Sequence, residues 1–412
     1  MDRLAPSLLR NTLTLILAGG QGERLYPLTK DRSKPSVPFA GSYRIIDFTL
    51  SNCINSGLRQ IYVLTQYKSQ SLYRHIRDGW NLLSRELGEY IETVPPQKRM
   101  HSRWYEGTAD AIYQNIFLLE QWKPERTLIL SGDHIYRMDY HDLLAYHVDK
   151  KADATIACYE YPREKATEFG VMQVDADHRV IQFVEKPADP PAIPGRPDRA
   201  LVNMGIYVFN TACMVRSVIE DHKDLRSQHD LGKNIFPRLV QKGGVALYAY
   251  PFSRQGADPY WRDVGHLMSY YQANMDLLNE NQSFNLFSSE WPFRSSSFQL
   301  PPCRLNLSNS QQGRIARSFV SGGCRIEGNL DRCVISPLVE IGEGSELVGC
   351  VVFNGTVIGR HCRIRNTIID KNVRIPDGCV IGYDAEQDQR QFMRTEEGIV
   401  VIPKEMQVEK TD

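Results

Sequence analysis

Apolar residues along this chain recur with two different periods, and the change of period divides it. From residue 12 to about 280, short apolar runs alternate with segments of helical spacing. Leu13–Leu17, Gln60–Thr65, Thr127–Leu130, Thr155–Tyr161, Gly170–Val174, Val180–Glu185 and Leu201–Phe209 read as strands. Arg44–Ser56, Ser69–Gly79, Thr108–Trp122 and His266–Asn279 read as helices, the first closed by Gly57. Strand–helix alternation of this kind predicts a mostly parallel sheet with helices on both faces. Ligands of such sheets sit at the carboxyl ends of strands. The Pro-rich stretch 188–199 must be a surface loop.

Past residue 316 the apolar period becomes six. Val320, Ile326, Ile335, Ile341, Leu347, Phe353, Ile358, Ile364, Ile369, Ile375 and Ile381 follow it with a few slips. Neither an α-helix nor an ordinary sheet repeats every six residues, whereas a parallel β-helix places one inward residue per wall at that spacing. The expected organisation is a catalytic domain at 12–281, a linker arm at 282–316 and a β-helix at 317–412. The arm should pack through Phe284, Phe287, Trp291 and Phe293.

Charge then narrows the function. Lys plus Arg and Asp plus Glu both number 49, so no overall field favours nucleic acid or an anionic membrane. No stretch approaches a membrane span. Nine single cysteines without a CxxC pair argue for reduced thiols and a cytoplasmic protein.

Local clusters must therefore carry the chemistry. After the first strand, Gly19, Gly20 and Gly22 allow a tight turn whose amides can face phosphate, and Arg24 and Lys34 follow. The turn has neither the Walker A nor the GxGxxG pattern, and by itself it fits a plain structural turn equally well. Asp133, in SGDHIY, follows a buried strand and suits a Mg2+ ion held against a triphosphate; capping a turn is its bland alternative. Asp263, in YWRDVG, offers a second carboxylate. His134 receives no role. Lys186, in VEKP, could neutralise a monoester phosphate beside Glu185, or belong to a solvated surface pair. Tyr105 could cover a sugar face, and Gly170 permits close backbone approach.

In order, LAGGQGERL, KPSVPF, RIIDFTLSNCINSG, WYEGTADA, SGDHIY, FGVM, EKP, MGIYVF and YWRDVG resemble the glucose-1-phosphate adenylyltransferases, bacterial type, over nearly the whole chain. The resemblance implies a Rossmann-like nucleotidyltransferase domain followed by a left-handed parallel β-helix. It implies Mg2+-dependent reaction of ATP with α-D-glucose 1-phosphate to give ADP-glucose for glycogen synthesis. By resemblance, Gly19, Gly20, Gly22 and Gln97 bind ATP, and Arg24, Lys34 and Asp133 are catalytic. Asp133 and Asp263 hold the metal. Tyr105, Gly170, Glu185, Lys186 and Asn203 bind the sugar phosphate, Asn203 standing where many bacterial members carry serine. Arg32 and Arg44 would contact a small anionic effector between the domains. Asp31 replaces the lysine of members activated by fructose 1,6-bisphosphate, which puts that activator in doubt. A homotetramer is expected.

Three rivals stay open: a pyrophosphorylase for another nucleotide sugar, a non-catalytic regulatory subunit, and a β-helix acyltransferase relying on His361. The second should lack a charged group at the reaction centre, yet Arg24, Lys34, Asp133, Lys186 and Asp263 are all present.

Overall fold

A computed structural model describes residues 5–97, 104–256, 259–279, 284–297, 299–306 and 314–410. Its amino-terminal part is built on a nine-stranded sheet whose parallel section runs Arg126–Ser131, Thr12–Ala18, Gln60–Thr65, Tyr90–Val94. These strands are apolar on both faces, as Leu13, Leu15 and Ile16 show, because helices cover both sides. The long strand Arg199–Asn210 pairs antiparallel with Arg126–Ser131 through residues 206–210 and, on its other edge, with Ala154–Pro162 along its length, the register shifting between Asn203 and Tyr207. The same strand pairs through Leu201 and Val202 with Gly170–Val174, and Val180–Glu185 lies beyond that at the sheet edge.

Most predicted elements appear within a residue or two. The segment expected as one helix over 108–122 is two, Thr108–Tyr113 and Ile116–Trp122, the first with Gly107 as its cap residue. The Thr108 hydroxyl donates to Asp230 at 3.1 Å and accepts from the Leu231 amide, tying two distant segments together.

The carboxyl-terminal part is a left-handed β-helix of short stacked strands in three walls. Ile326, Ile341, Ile358 and Ile375 stack on one wall and Leu330, Leu347, Ile364 and Ile381 on the next. On the third wall Ile335 stacks on Val352, then Ile369. Phe353, read from the period as inward, therefore faces the other way: it joins the interdomain cluster, its ring 6.5 Å from that of Tyr270. Stacked strands begin at Arg304–Leu305 and Ile315–Ala316, inside the stretch read as linker arm.

The two parts share a core. Phe39, Phe48 and Tyr270 meet Phe284 and Phe293 of the arm and Val351, Phe353 and Val401 of the β-helix. Each buried side chain of this size contributes about 1.5–3 kcal/mol, so the cluster fixes the β-helix against the catalytic part. The arm packs as expected through Phe284, Phe293 and Trp291, whose Nε1–H donates to Asn52 at 2.9 Å. Phe287 differs: it is 80% exposed and touches only the edge of Phe319 among the described rings.

Candidate active site

Adjacent parallel strands bring the first two motifs together. Leu17 pairs with Ser131, so the turns at Gly19 and Asp133 leave the same edge of the sheet. The Gly132 amide donates to the Leu17 carbonyl at 3.0 Å, and a Cβ on Gly132 would stand 2.8 Å from Ile46 Cδ1. A bulkier residue there would push the Asp133 turn off the sheet. Asp263 arrives by a separate device: Trp261–Asp263 forms an antiparallel ladder with His134–Tyr136, pairing Asp263 with His134.

Lys34 closes the group. It opens a short 3-10 turn, Lys34–Ser36, and its ammonium lies 2.9 Å from Asp133 Oδ2 and 3.0 Å from Asp263 Oδ1. Gly22 makes this possible. Its left-handed φ of 68° and the 2.9 Å from its Cβ position to Lys34 Cβ leave no room for a side chain. Gly22 thus packs on Lys34, while Gly20 faces open space. Arg24 stands beside Asp263, both near the Cβ position of Gly265, and donates to Glu168 at 2.6 Å from a half-exposed position.

Burial and charge set the protonation. Burial alone would lower Lys34, but Asp133 and Asp263 outweigh it and hold the ammonium above its ordinary value. Burial pushes both carboxyls up, and Lys34 with His134 overrides it: Asp133 is lowered and Asp263 falls to about 2. His134, assigned no role from sequence, donates from Nδ1 to the Met204 carbonyl at 3.1 Å. Its Nε2 lies 3.5 and 3.6 Å from Asp133 and Asp263.

A cavity of about 460 Å3 opens beside this group, lined by Gly19, Gly20, Tyr105 and Asp133. Gln66, Tyr67, Ser131 and Asp230 also line it and had not been singled out. Gln66 directly follows the strand Gln60–Thr65 and donates to the Tyr105 carbonyl at 3.3 Å, so the strand-end rule could have found it. Asp230 carries no such signal. Its Oδ1 accepts from the Gly232 and Lys233 amides, at 2.9 and 3.0 Å.

Asp230 links the cavity to the second group of expected residues. Gly170 pairs with Glu185, whose Oε2 lies 2.7 Å from the Cβ position of Gly170 and 2.6 Å from that of Gly232. Burial, then Asp230, raises the Glu185 carboxyl above its ordinary value against the pull of Lys186 and Lys233. Lys186 adopts a left-handed φ of 48°, its amide donating to the Phe169 carbonyl at 3.0 Å. Asn203 uses its amide within its own strand: Nδ2 donates to the Tyr207 hydroxyl at 2.8 Å and Oδ1 accepts from the Gly205 amide. Gln97 is exposed and is not among the described residues lining the cavity; residues 98–103 of its loop lie outside the described residues.

Arg32 and Arg44 stand elsewhere, in an interdomain cavity of about 500 Å3 with Asp31, Lys68, Arg74, Lys371 and Lys404. Arg32 is buried and donates to both Asp370 oxygens at 2.9 and 3.2 Å. Its Nη1 is buried with no hydrogen-bond partner among the described residues.

The nucleotidyl transferase family model matches residues 13–280, and a GlmU-like carboxyl-terminal hexapeptide model matches 301–402. The chain is 47% identical to a glucose-1-phosphate adenylyltransferase of Methylococcus capsulatus over 97% of this chain and 95% of that one. It is 46% identical to glucose-1-phosphate adenylyltransferase 2 of Vibrio cholerae, over 97% and 99% respectively. The chain belongs to the glucose-1-phosphate adenylyltransferase family. In this chain Arg24, Lys34, Asp133 and Asp263 stand together in one cluster.

Proposed function

We propose that this chain transfers the adenylyl group of ATP to α-D-glucose 1-phosphate, forming ADP-glucose for glycogen synthesis and releasing diphosphate. The observation that carries it is the buried Lys34 ammonium between two partly buried carboxylates, beside a glycine turn at the mouth of a nucleotide-sized cavity. A sugar-phosphate oxygen attacks the α-phosphorus; the bond from that phosphorus to the bridging oxygen breaks, and diphosphate leaves. Such a transfer asks the protein for alignment and charge stabilisation rather than a covalent intermediate.

Gly19 and Gly20 leave room for the triphosphate, and Arg24 and Lys34 neutralise the departing diphosphate. Gly22 serves by admitting Lys34. Gln97 is kept as an adenine contact by resemblance alone. Asp133 and Asp263, both ionised, fit a Mg2+ ion. Among the described residues no group of three or more His, Cys, Asp or Glu side chains could hold a metal, so phosphate oxygens and water must complete its shell. Asp133 and Asp263 would hold the ion, which would supply positive charge to offset that of the leaving group. Tyr105, Gly170, Glu185, Lys186 and Asn203 receive the sugar phosphate, Lys186 supplying the positive charge.

We assign the interdomain cavity to a small anionic effector, supported by the unpartnered Arg32 Nη1 and the surrounding cations. Asp31 lies 4.0 Å from Lys404 and offsets part of its field, so a bisphosphate is disfavoured. A homotetramer and a cytoplasmic setting follow from the resemblance, and all nine cysteines carry free thiols. No described helix is long and apolar enough to cross a membrane.

One assay tests the reading: diphosphate release across ATP, UTP and dTTP with several sugar 1-phosphates, with and without fructose 1,6-bisphosphate, fructose 6-phosphate, pyruvate, AMP and phosphate. Turnover is expected with ATP and glucose 1-phosphate. Preference for another nucleotide, or binding without turnover, overturns it; strong activation by the bisphosphate overturns the argument from Asp31.

A further inference from the structure

Two carboxylates facing one another in a partly buried site repel unless a cation lies between them. Here that cation is a side chain. Lys34 Nζ bridges Asp133 Oδ2 and Asp263 Oδ1 at 2.9 and 3.0 Å, and the lysine is 7% exposed. Arg24, which also stands near Asp263, donates to Glu168 and does not bridge the two carboxylates. His134 meets the same carboxylates only at 3.5 and 3.6 Å, with its Nδ1 committed to the Met204 carbonyl. A Mg2+ ion bound to both oxygens at its usual distance of about 2.1 Å needs the gap that the ammonium bridges. The two cations cannot share it.

We propose that Lys34 is a resident place-holder for the metal: its ammonium occupies the Asp133–Asp263 gap until Mg2+ and nucleotide arrive together, and is then displaced onto the phosphate oxygens. This rests on the assignment of Asp133 and Asp263 as metal carboxylates. The four-carbon stem gives the ammonium freedom to move, and the arriving triphosphate supplies the anion that keeps it from being stranded. Two consequences follow from charge exchange. Free of nucleotide, the protein holds divalent ions weakly because each must expel a bound cation. Nucleotide and metal then strengthen one another's binding, since the phosphates accept what the metal ejects.

The test is Mn2+ binding to the full chain without nucleotide, followed by paramagnetic resonance and calorimetry, in wild type, Lys34→Met, Asp133→Asn and Asp263→Asn. Removing the unit charge should tighten Mn2+ binding by Lys34→Met at least about tenfold, and Mn2+ should raise the melting temperature of that variant more than that of wild type. Lys34→Met that folds only with Mn2+ present gives the same answer, because the ion has replaced the ammonium. Equal or weaker Mn2+ binding by Lys34→Met, with Asp133→Asn abolishing it, overturns the place-holder and leaves the metal site standing. A Lys34→Met chain that stays unfolded in excess Mn2+ also overturns it. Mn2+ binding in the presence of ATP that neither Asp133→Asn nor Asp263→Asn weakens overturns the metal assignment itself.

Discussion

The active crevice and the interdomain cavity are both rich in cations, yet they treat them in opposite ways. In the crevice Lys34 meets two carboxylates and Arg24 meets Glu168, so each cation has an anion of the protein beside it. Between the domains, Arg44, Arg74, Lys371 and Lys404 crowd together, with Asp370 spent on Arg32 and Asp31 beside Lys404. The lysines report the difference. Lys34 is raised above 10.5, whereas burial, then Arg44 and Arg32, depresses Lys371 to about 7. Burial, and the Arg32 and Arg74 charges against Asp47, likewise lowers Arg44 to about 10. One site is balanced before any ligand arrives. The other keeps a surplus of cations among the described residues even with Asp31, Asp370 and Glu405 beside them, which suits the anionic effector proposed for it.

The largest way to break this comparison is in the crevice. Asp133→Asn should lower kcat by about a hundredfold or more, the scale of losing one key electrostatic group in the transition state; diphosphate release under Mg2+ titration measures it. Next comes the cation surplus. Lys371→Ala should weaken effector binding about tenfold, read from half-saturation in the same assay.

The two lysines also give opposite pH slopes. Lys371 is held below its ordinary 10.5, so the folded chain binds fewer protons there, and this group's contribution to stability rises with pH between about 7 and 10.5. Lys34 is held above 10.5, so its contribution is fully present below that value and is lost as pH climbs through its folded pKa. Effector affinity should fall as pH rises above about 7, because the neutral amine no longer attracts an anion, and Lys371→Ala should flatten that dependence. The smallest effect is on the sugar side. A Cβ at Gly170 would press on Glu185 Oε2 and Phe183 Cζ, each 2.7 Å away, so Gly170→Ala should raise KM for glucose 1-phosphate several-fold while changing kcat less.

How much of this was legible in the sequence depends on the range of the interaction. The strands Gln60–Thr65, Gly170–Val174 and Val180–Glu185 follow from local apolar pattern and appear with those bounds. The β-helix walls are equally local, since each turn repeats the last. Phe353 escaped because period alone does not say which of two neighbouring apolar residues faces inward; its partner Tyr270 lies across the domain boundary. In the crevice, Gly19 and Asp133 were readable as strand ends. Asp230 and His134 were not, because their roles come from Thr108 and from Asp263, far away in sequence. The Thr108–Trp122 segment has continuous helical spacing, but its break at Gln114 and Asn115 shows no turn signal strong enough to be read beforehand.

The central claim is that Arg24, Lys34, Asp133 and Asp263 serve one metal–triphosphate pocket. The most direct measurement is the anomalous scattering of Mn2+ in crystals grown with a non-hydrolysable ATP analogue. The account predicts a peak bound by both Asp133 and Asp263, with Arg24 and Lys34 on the β- and γ-phosphates. A nucleotide bound with no metal between those two carboxylates, or with its phosphates away from Arg24 and Lys34, would contradict it.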